Sequence, residues 1–140
     1  MKKNKEDIIN SWIEKANRDL EVANRELKIP DPLTDIICFH AQQSAEKYMK
    51  AYLIFLNIEF QKTHDIEDLV AVAGKKDPSI LEFKNIGAEL STFAVEARYP
   101  EFEEPSLEDT ENAVEIAKKF KKYIVDRILK EAGDNNSTES

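Results

Sequence analysis

Ile8, Ile9, Trp12, Ile13, Ala16, Leu20, Ala23 and Leu27 recur at steps of mostly three and four residues, which places them on one face of a helix from Ile8 to Leu27. Pro30 and Pro32 end it, because proline has no N–H to give a helix interior. A second helix begins near Asp31 or Asp35, either of which can cap it through a side-chain oxygen, and runs to about Asn57. Its apolar positions, from Ile36, Ile37 and Cys38 through Tyr48 and Met49 to Phe55 and Leu56, wrap most of its circumference. Such a helix belongs at the centre of a fold. The turn Lys62-Thr63-His64-Asp65 precedes a short third helix that ends at Gly74. Asp77 before Pro78 opens a fourth, with a stripe of Phe83, Ile86, Leu90, Phe93 or Ala94, and Ala97, closed by Pro100. Ser106, with Asp109 three residues on, resembles a capping box for a fifth helix, whose stripe is Val114, Ala117, Phe120, Ile124 and Ile128. The pattern predicts an all-α, up-and-down bundle of four to five helices in a single domain, residues 1–132. Residues 133–140 are too polar to fold alone and are expected to form a flexible tail.

Composition narrows this further. A chain of 140 residues suffices for one domain that buries about two thirds of its unfolded surface. Gly74, Gly87 and Gly133 are the only glycines, too few for a turn-rich β domain and too scattered for a glycine-rich phosphate loop. The formal net charge of −8 excludes a basic nucleic-acid coat, though not a local basic site. Cys38 is the single cysteine, so no internal disulfide forms, and a reducing cytoplasm is the expected compartment. The opening MKKNKEDIIN has no apolar core, which argues against a signal peptide, and the run from Tyr52 to Leu56 is far too short to cross a bilayer.

Metal chemistry has no foothold in the pattern. Ile37 and Gln61 stand three residues before His40 and His64, where a di-iron bundle needs glutamate. One cysteine and no His-Glu-x-x-His leave no zinc motif, so neither metal nor cofactor is expected. Two polar constellations remain. His40, Gln43, Lys47 and Lys50 share one side of the second helix and line either solvent or a groove. The second depends on topology: if sequential helices pack antiparallel, the loops Lys62-Thr63-His64-Asp65 and Arg98-Tyr99-Pro100 meet at one pole. Arg98 can then clamp a phosphate, Tyr99 can stack on a base, Lys62 adds charge and His64 can carry a proton. Thr63 and Asp65 stand at a helix start, where they either cap the helix or leave amide N–H groups for an anion.

The succession Trp12, Ala16, Asp19-Leu20 and Ala23, then Phe39-His40-Ala41-Gln42-Gln43-Ser44-Ala45-Glu46-Lys47-Tyr48-Met49-Lys50-Ala51-Tyr52-Leu53, then Lys62-Thr63-His64-Asp65, then Ala97-Arg98-Tyr99-Pro100, resembles the HEPN domain (higher eukaryotes and prokaryotes nucleotide-binding) over residues 5–130. The resemblance implies an all-α bundle, commonly a homodimer. It also implies a small nucleotidyltransferase partner in a toxin–antitoxin-like module. Many members of that family are metal-independent ribonucleases with an Arg-x4-6-His motif; others bind nucleotides or are non-catalytic. Here the motif is absent: positions 33–35 and 57–59 hold no arginine, and 103–105 read Glu-Glu-Pro. The expectation is therefore a non-catalytic subunit that binds a nucleotide or an RNA phosphate through Lys62, Thr63, His64, Asp65, Arg98 and Tyr99. A ribonuclease with a rearranged site and a helical docking module are the alternatives.

Overall fold

The computed structural model describes residues 3–59 and 62–139, with side chains described as far as residue 131. Helix α1 spans Lys5–Leu27 and α2 Thr34–Phe55. They are followed by α3 (Ile66–Ala73), a 3-10 helix (Pro78–Phe83), α4 (Lys84–Glu96) and α5 (Leu107–Glu139). No strand occurs among the described residues. None of their helices is long and apolar enough to cross a membrane.

Local chemistry sets the helix ends. Asn4 caps α1 by accepting the Asp7 N–H at 2.8 Å. Ser106 does the same for Asp109 at 3.0 Å, as the spacing predicts. Neither Asp31 nor Asp35 caps α2. The helix starts after Leu33, whose N–H goes instead to the Glu26 carboxylate at 3.2 Å. Asp31 takes a positive φ of 52° in the turn, and Asp35 lies in the first helical turn, where its charge suits the positive end of the dipole. The fourth predicted helix divides, because its first six residues from Pro78 wind as a 3-10 helix before α4 begins. The backbone of α5 continues as helix to Glu139, through the stretch expected to be a tail. Once formed, a helix lengthens by one hydrogen bond per residue. The side chains of that stretch, and Ser140 altogether, lie outside the described residues.

Helix α2 is the core. Ile37, Ala41, Ala45, Tyr48, Met49 and Tyr52 are essentially sealed from solvent. Each large apolar side chain buried this way contributes about 1.5–3 kcal/mol. Small residues Ala16, Ala41 and Ala45 are fully buried, and the Ser44 hydroxyl donates to the Ala16 carbonyl at 2.9 Å. These contacts, with Lys5 near Asn57 and Asp19 near His40, run α1 antiparallel to α2. Helix α5 runs parallel to α2, from Thr110 beside Cys38 to Arg127 beside Tyr52.

The short helix α3 departs from simple up-and-down order. The segment after α2 doubles back, so that His64 lies beside Gln42 and Glu46, and α3 then runs parallel to α2 until Lys76 reaches Leu56. Helix α4 returns from Tyr123, beside Phe83, to Phe39, beside Arg98. The loop before α3 and the loop after α4 therefore do not meet where α2 ends. Both lie along the first two thirds of α2.

Candidate functional site

The two predicted loops dock on one row of α2. Successive residues of a helix turn by about 100°, so Phe39, Gln43, Glu46 and Lys50 follow one inclined stripe. Arg98 leaves the turn after α4, and its guanidinium carbon sits 6.0 Å from the Phe39 ring centroid. His64 docks two turns further along, with Nδ1 3.3 Å from Glu46 Oε1. The two anchor residues, seven positions apart, are separated by about 10 Å along the axis.

Glu46 organises this row. It is only 4% exposed, yet its carboxylate is met by Lys50 Nζ at 3.3 Å, Gln42 Nε2 at 3.4 Å and the His64 ring. Gln42 also reaches the His64 carbonyl at 3.5 Å, and Gln43 donates to Gln42 Oε1 at 2.9 Å. Lys50 lies 5.3 Å from the Trp12 ring centroid. A carboxylate bonded to Nδ1 favours the proton at that nitrogen and leaves the lone pair on Nε2. With a side chain 75% exposed, His64 presents that second nitrogen to solvent.

The remaining predicted residues fall as follows. Lys62 is exposed. The Thr63 hydroxyl accepts the Asp65 N–H at 3.1 Å and donates to Asp68 at 3.2 Å, so one amide at the start of α3 is already used. Asp65 holds the capping position without a side-chain cap bond. Tyr99 is half exposed, its ring 6.4 Å from that of Phe102.

The row His40, Gln43, Lys47 and Lys50 is engaged by neighbouring side chains. His40 Nδ1 and Lys47 Nζ both bind Asp19 of α1, at 2.9 and 2.5 Å, while Gln43 and Lys50 join the Glu46 network. The four span roughly 80° of the helix surface, enough for its two edges to serve different neighbours.

One polar network was not anticipated. Asp77, 5% exposed, accepts hydrogen bonds at 2.6 Å from Tyr52, Tyr123 and Ser79. Arg127 donates from Nε to the Tyr52 hydroxyl at 2.9 Å and places a terminal nitrogen 3.4 Å from Asp77. Burial alone would raise the Asp77 carboxyl, but the hydrogen bonds from Ser79, Tyr123 and Tyr52, with the Arg127 charge, hold it below its ordinary value. Burial and the adjacent carboxylate push the Tyr52 and Tyr123 phenols up. The bonds of Tyr52 and Tyr123 to Asp77 and of Arg127 to Tyr52 join residues 25 to 75 positions apart, so no local motif announces the network. The faint signal is Tyr123 with Arg127, a polar pair at i, i+4 beside the apolar stripe of α5.

Among the described residues, no group of three or more His, Cys, Asp or Glu side chains is arranged to hold a metal ion. No curated protein matches the chain. Two solved structures are similar in fold. TT1696 from Thermus thermophilus is 22% identical, with a TM-score of 0.72 over 84% of this chain and 96% of its own. ST0689, an archaeal HEPN homologue, is 24% identical, with a TM-score of 0.67 over 91% of this chain and 99% of its own. The profile of the HEPN domain matches residues 9–128, which takes in nearly all of α1 and the whole of the bundle up to Ile128. This chain belongs to the HEPN domain family.

Proposed function

We propose that this HEPN domain is a non-catalytic subunit that binds a nucleotide or phosphate-bearing ligand across the α2 row between Arg98 and His64. The observation that carries the reading is the docking of both loops on that row, Arg98 on Phe39 and His64 on Glu46. Arg98 supplies the fork that grips a phosphate bidentately, and the half-exposed Tyr99 ring supplies a stacking face. The likeness to the HEPN family supports a homodimer with a small nucleotidyltransferase partner in a toxin–antitoxin-like module. Isothermal titration with ATP, GTP and their monophosphates tests the site. Heat is expected with at least one of them and reduced in Arg98→Ala; absence of heat with all four, or equal binding by the variant, refutes it.

A second reading, metal-independent cleavage of RNA, is favoured by the buried Glu46 behind His64. A carboxylate that orients an imidazole is the arrangement of a general acid or base. Labelled RNA incubated with the protein and EDTA discriminates: cleavage abolished by His64→Ala supports an enzyme, and intact RNA at high protein concentration removes it.

A further inference from the structure

At the far end of α2 from Arg98, a cavity of about 730 Å³ opens between the start of α1, the last turn of α2, the α3 exit and α5. That size falls in the range of small-molecule sites. Among the described residues its ionised lining is Lys5, Lys76, Arg127 and Lys130 against Asp77 and Glu131, a surplus of two positive charges in a chain whose sum is −8.

The cations differ in what already occupies them. Lys5 donates to Asn57 Oδ1 at 2.6 Å and Lys76 to the Leu56 carbonyl at 2.8 Å, which fixes both ammonium groups against the C-terminal end of α2. That end is held by Asn57 in a left-handed conformation, φ 61°. An ammonium has three donors, so each lysine keeps capacity for a further acceptor. Asp77 has no reach left for a cationic ligand, since its oxygens take Tyr52, Tyr123, Ser79 and Arg127. These bonds instead fix Arg127, whose guanidinium also lies 5.1 Å from the Tyr123 ring centroid. The Arg127 side chain is 46% exposed, so the part of its fork not spent on Tyr52 and Asp77 faces outward. Lys130 follows at i+3, exposed and without an ion pair among the described residues.

We infer that this cavity is a second ligand site, for a compact polyanion bearing two or more phosphate charges. Arg127 acts as the oriented clamp, Lys130 as the exposed charge, and Lys5 and Lys76 as the fixed wall. This inference is independent of the α2 row, because no residue is shared between the two. Free polyphosphate and the phosphates of a nucleotide or an RNA end carry the same chemistry.

Titration of the full chain with inorganic tripolyphosphate, followed by amide chemical shifts, tests it. Expected are saturable shifts around Asn57, Lys76 and Arg127, with the dissociation constant rising about tenfold in Lys130→Glu, the loss of one charge-assisted contact. The shifts around Asn57, Lys76 and Arg127 should persist in Arg98→Ala while any shifts along the α2 row are lost, which separates failure here from failure of the α2 row. Among the described residues Lys130 makes no side-chain bond, so its variant is expected to fold; Arg127→Lys, which keeps charge but not the fork, should also weaken binding. Parallel titrations with ATP and with a 5′-phosphorylated oligoribonucleotide distinguish the sources. No saturable shift with tripolyphosphate, or equal affinity in Lys130→Glu, overturns the inference.

Discussion

Replacing Asp77 with alanine removes an acceptor shared by three hydroxyl groups and a guanidinium, and the structure sets the size of the loss. Tyr52 is 1% exposed and its hydroxyl donates to Asp77 at 2.6 Å, so without the carboxylate that O–H is stranded. A buried donor left unsatisfied costs about 1–3 kcal/mol. Tyr123 and Arg127 are partly exposed and turn to water, adding about 1 kcal/mol between them. The expected destabilisation is about 3 kcal/mol, a fall of roughly 9 °C in Tm for a domain of this size. Asp77→Asn keeps an acceptor oxygen and should lose less. Urea unfolding with an unchanged m-value is the measurement. The pH dependence gives a second check. The folded carboxyl is held below its ordinary value, so its contribution is complete above the unfolded pKa, about pH 4, and fades as pH falls through the lower folded value. The stability gap between wild type and Asp77→Ala should therefore narrow below about pH 4. A loss under about 1 kcal/mol at neutral pH would refute the reasoning, as would a gap that stays constant into acid.

Two further substitutions probe the packing around the site. At Gly87 an added Cβ would stand 2.8 Å from Ile66 Cγ2 and 3.4 Å from Phe120 Cζ, both side chains sealed in the core. Gly87→Ala should thus lose about 1 kcal/mol in urea unfolding, overpacking of about 2 kcal/mol outweighing a helix-propensity gain of about 1 kcal/mol; a net gain would show that Ile66 yields freely. Glu46→Ala withdraws the carboxylate from Lys50, whose side chain is 8% exposed, and should cost about 3 kcal/mol, with Glu46→Gln costing less. Equal stability of the two Glu46 variants would mean that the amide kept in Glu46→Gln adds nothing, and wild-type stability of Glu46→Gln would mean that the charge of Glu46 is irrelevant to the row.

The helices were legible because their apolar spacing is local, and so was the Ser106 cap. Apolar wrapping around α2 announced its central place. The path between α2 and α3 was not legible. Short connections favour antiparallel neighbours, but the chain from Leu56 to Asp65 is long enough to run back along α2 before α3 starts. That reversal is why Lys62-Thr63-His64-Asp65 and Arg98-Tyr99 dock on the same row although the helix ends they flank do not coincide. In the row of His40, Gln43, Lys47 and Lys50, spacing alone gave the shared side but not the two neighbours. Asp19 on α1 captures one edge and Glu46 the other. Tyr52, Asp77 and the α5 pair Tyr123 and Arg127 come together only through tertiary packing, and Tyr52 and Asp77 look ordinary within their own segments.

The charge sum illustrates the same difference between an average and a place. At the end of the molecule where α2 begins, Arg98 stands in sequence beside Glu96 and Glu101, with Glu103 and Glu104 following. Phe39, Val95, Tyr99, Phe102 and Leu107 remain substantially exposed on the same segments. At the other end, four cations surround a cavity next to the last turn of α2. The two ends are separated by the 22 residues of that helix, roughly 33 Å. Salt at physiological strength screens exposed charges beyond about 8 Å, so neither end senses the other. A phosphate approaching Lys130 meets the field of its own pocket and little of the acidic surplus elsewhere. The net charge of −8 therefore bears on solubility and long-range encounter, and it leaves phosphate binding to be decided site by site, from which cations are held by neighbours and which still face outward.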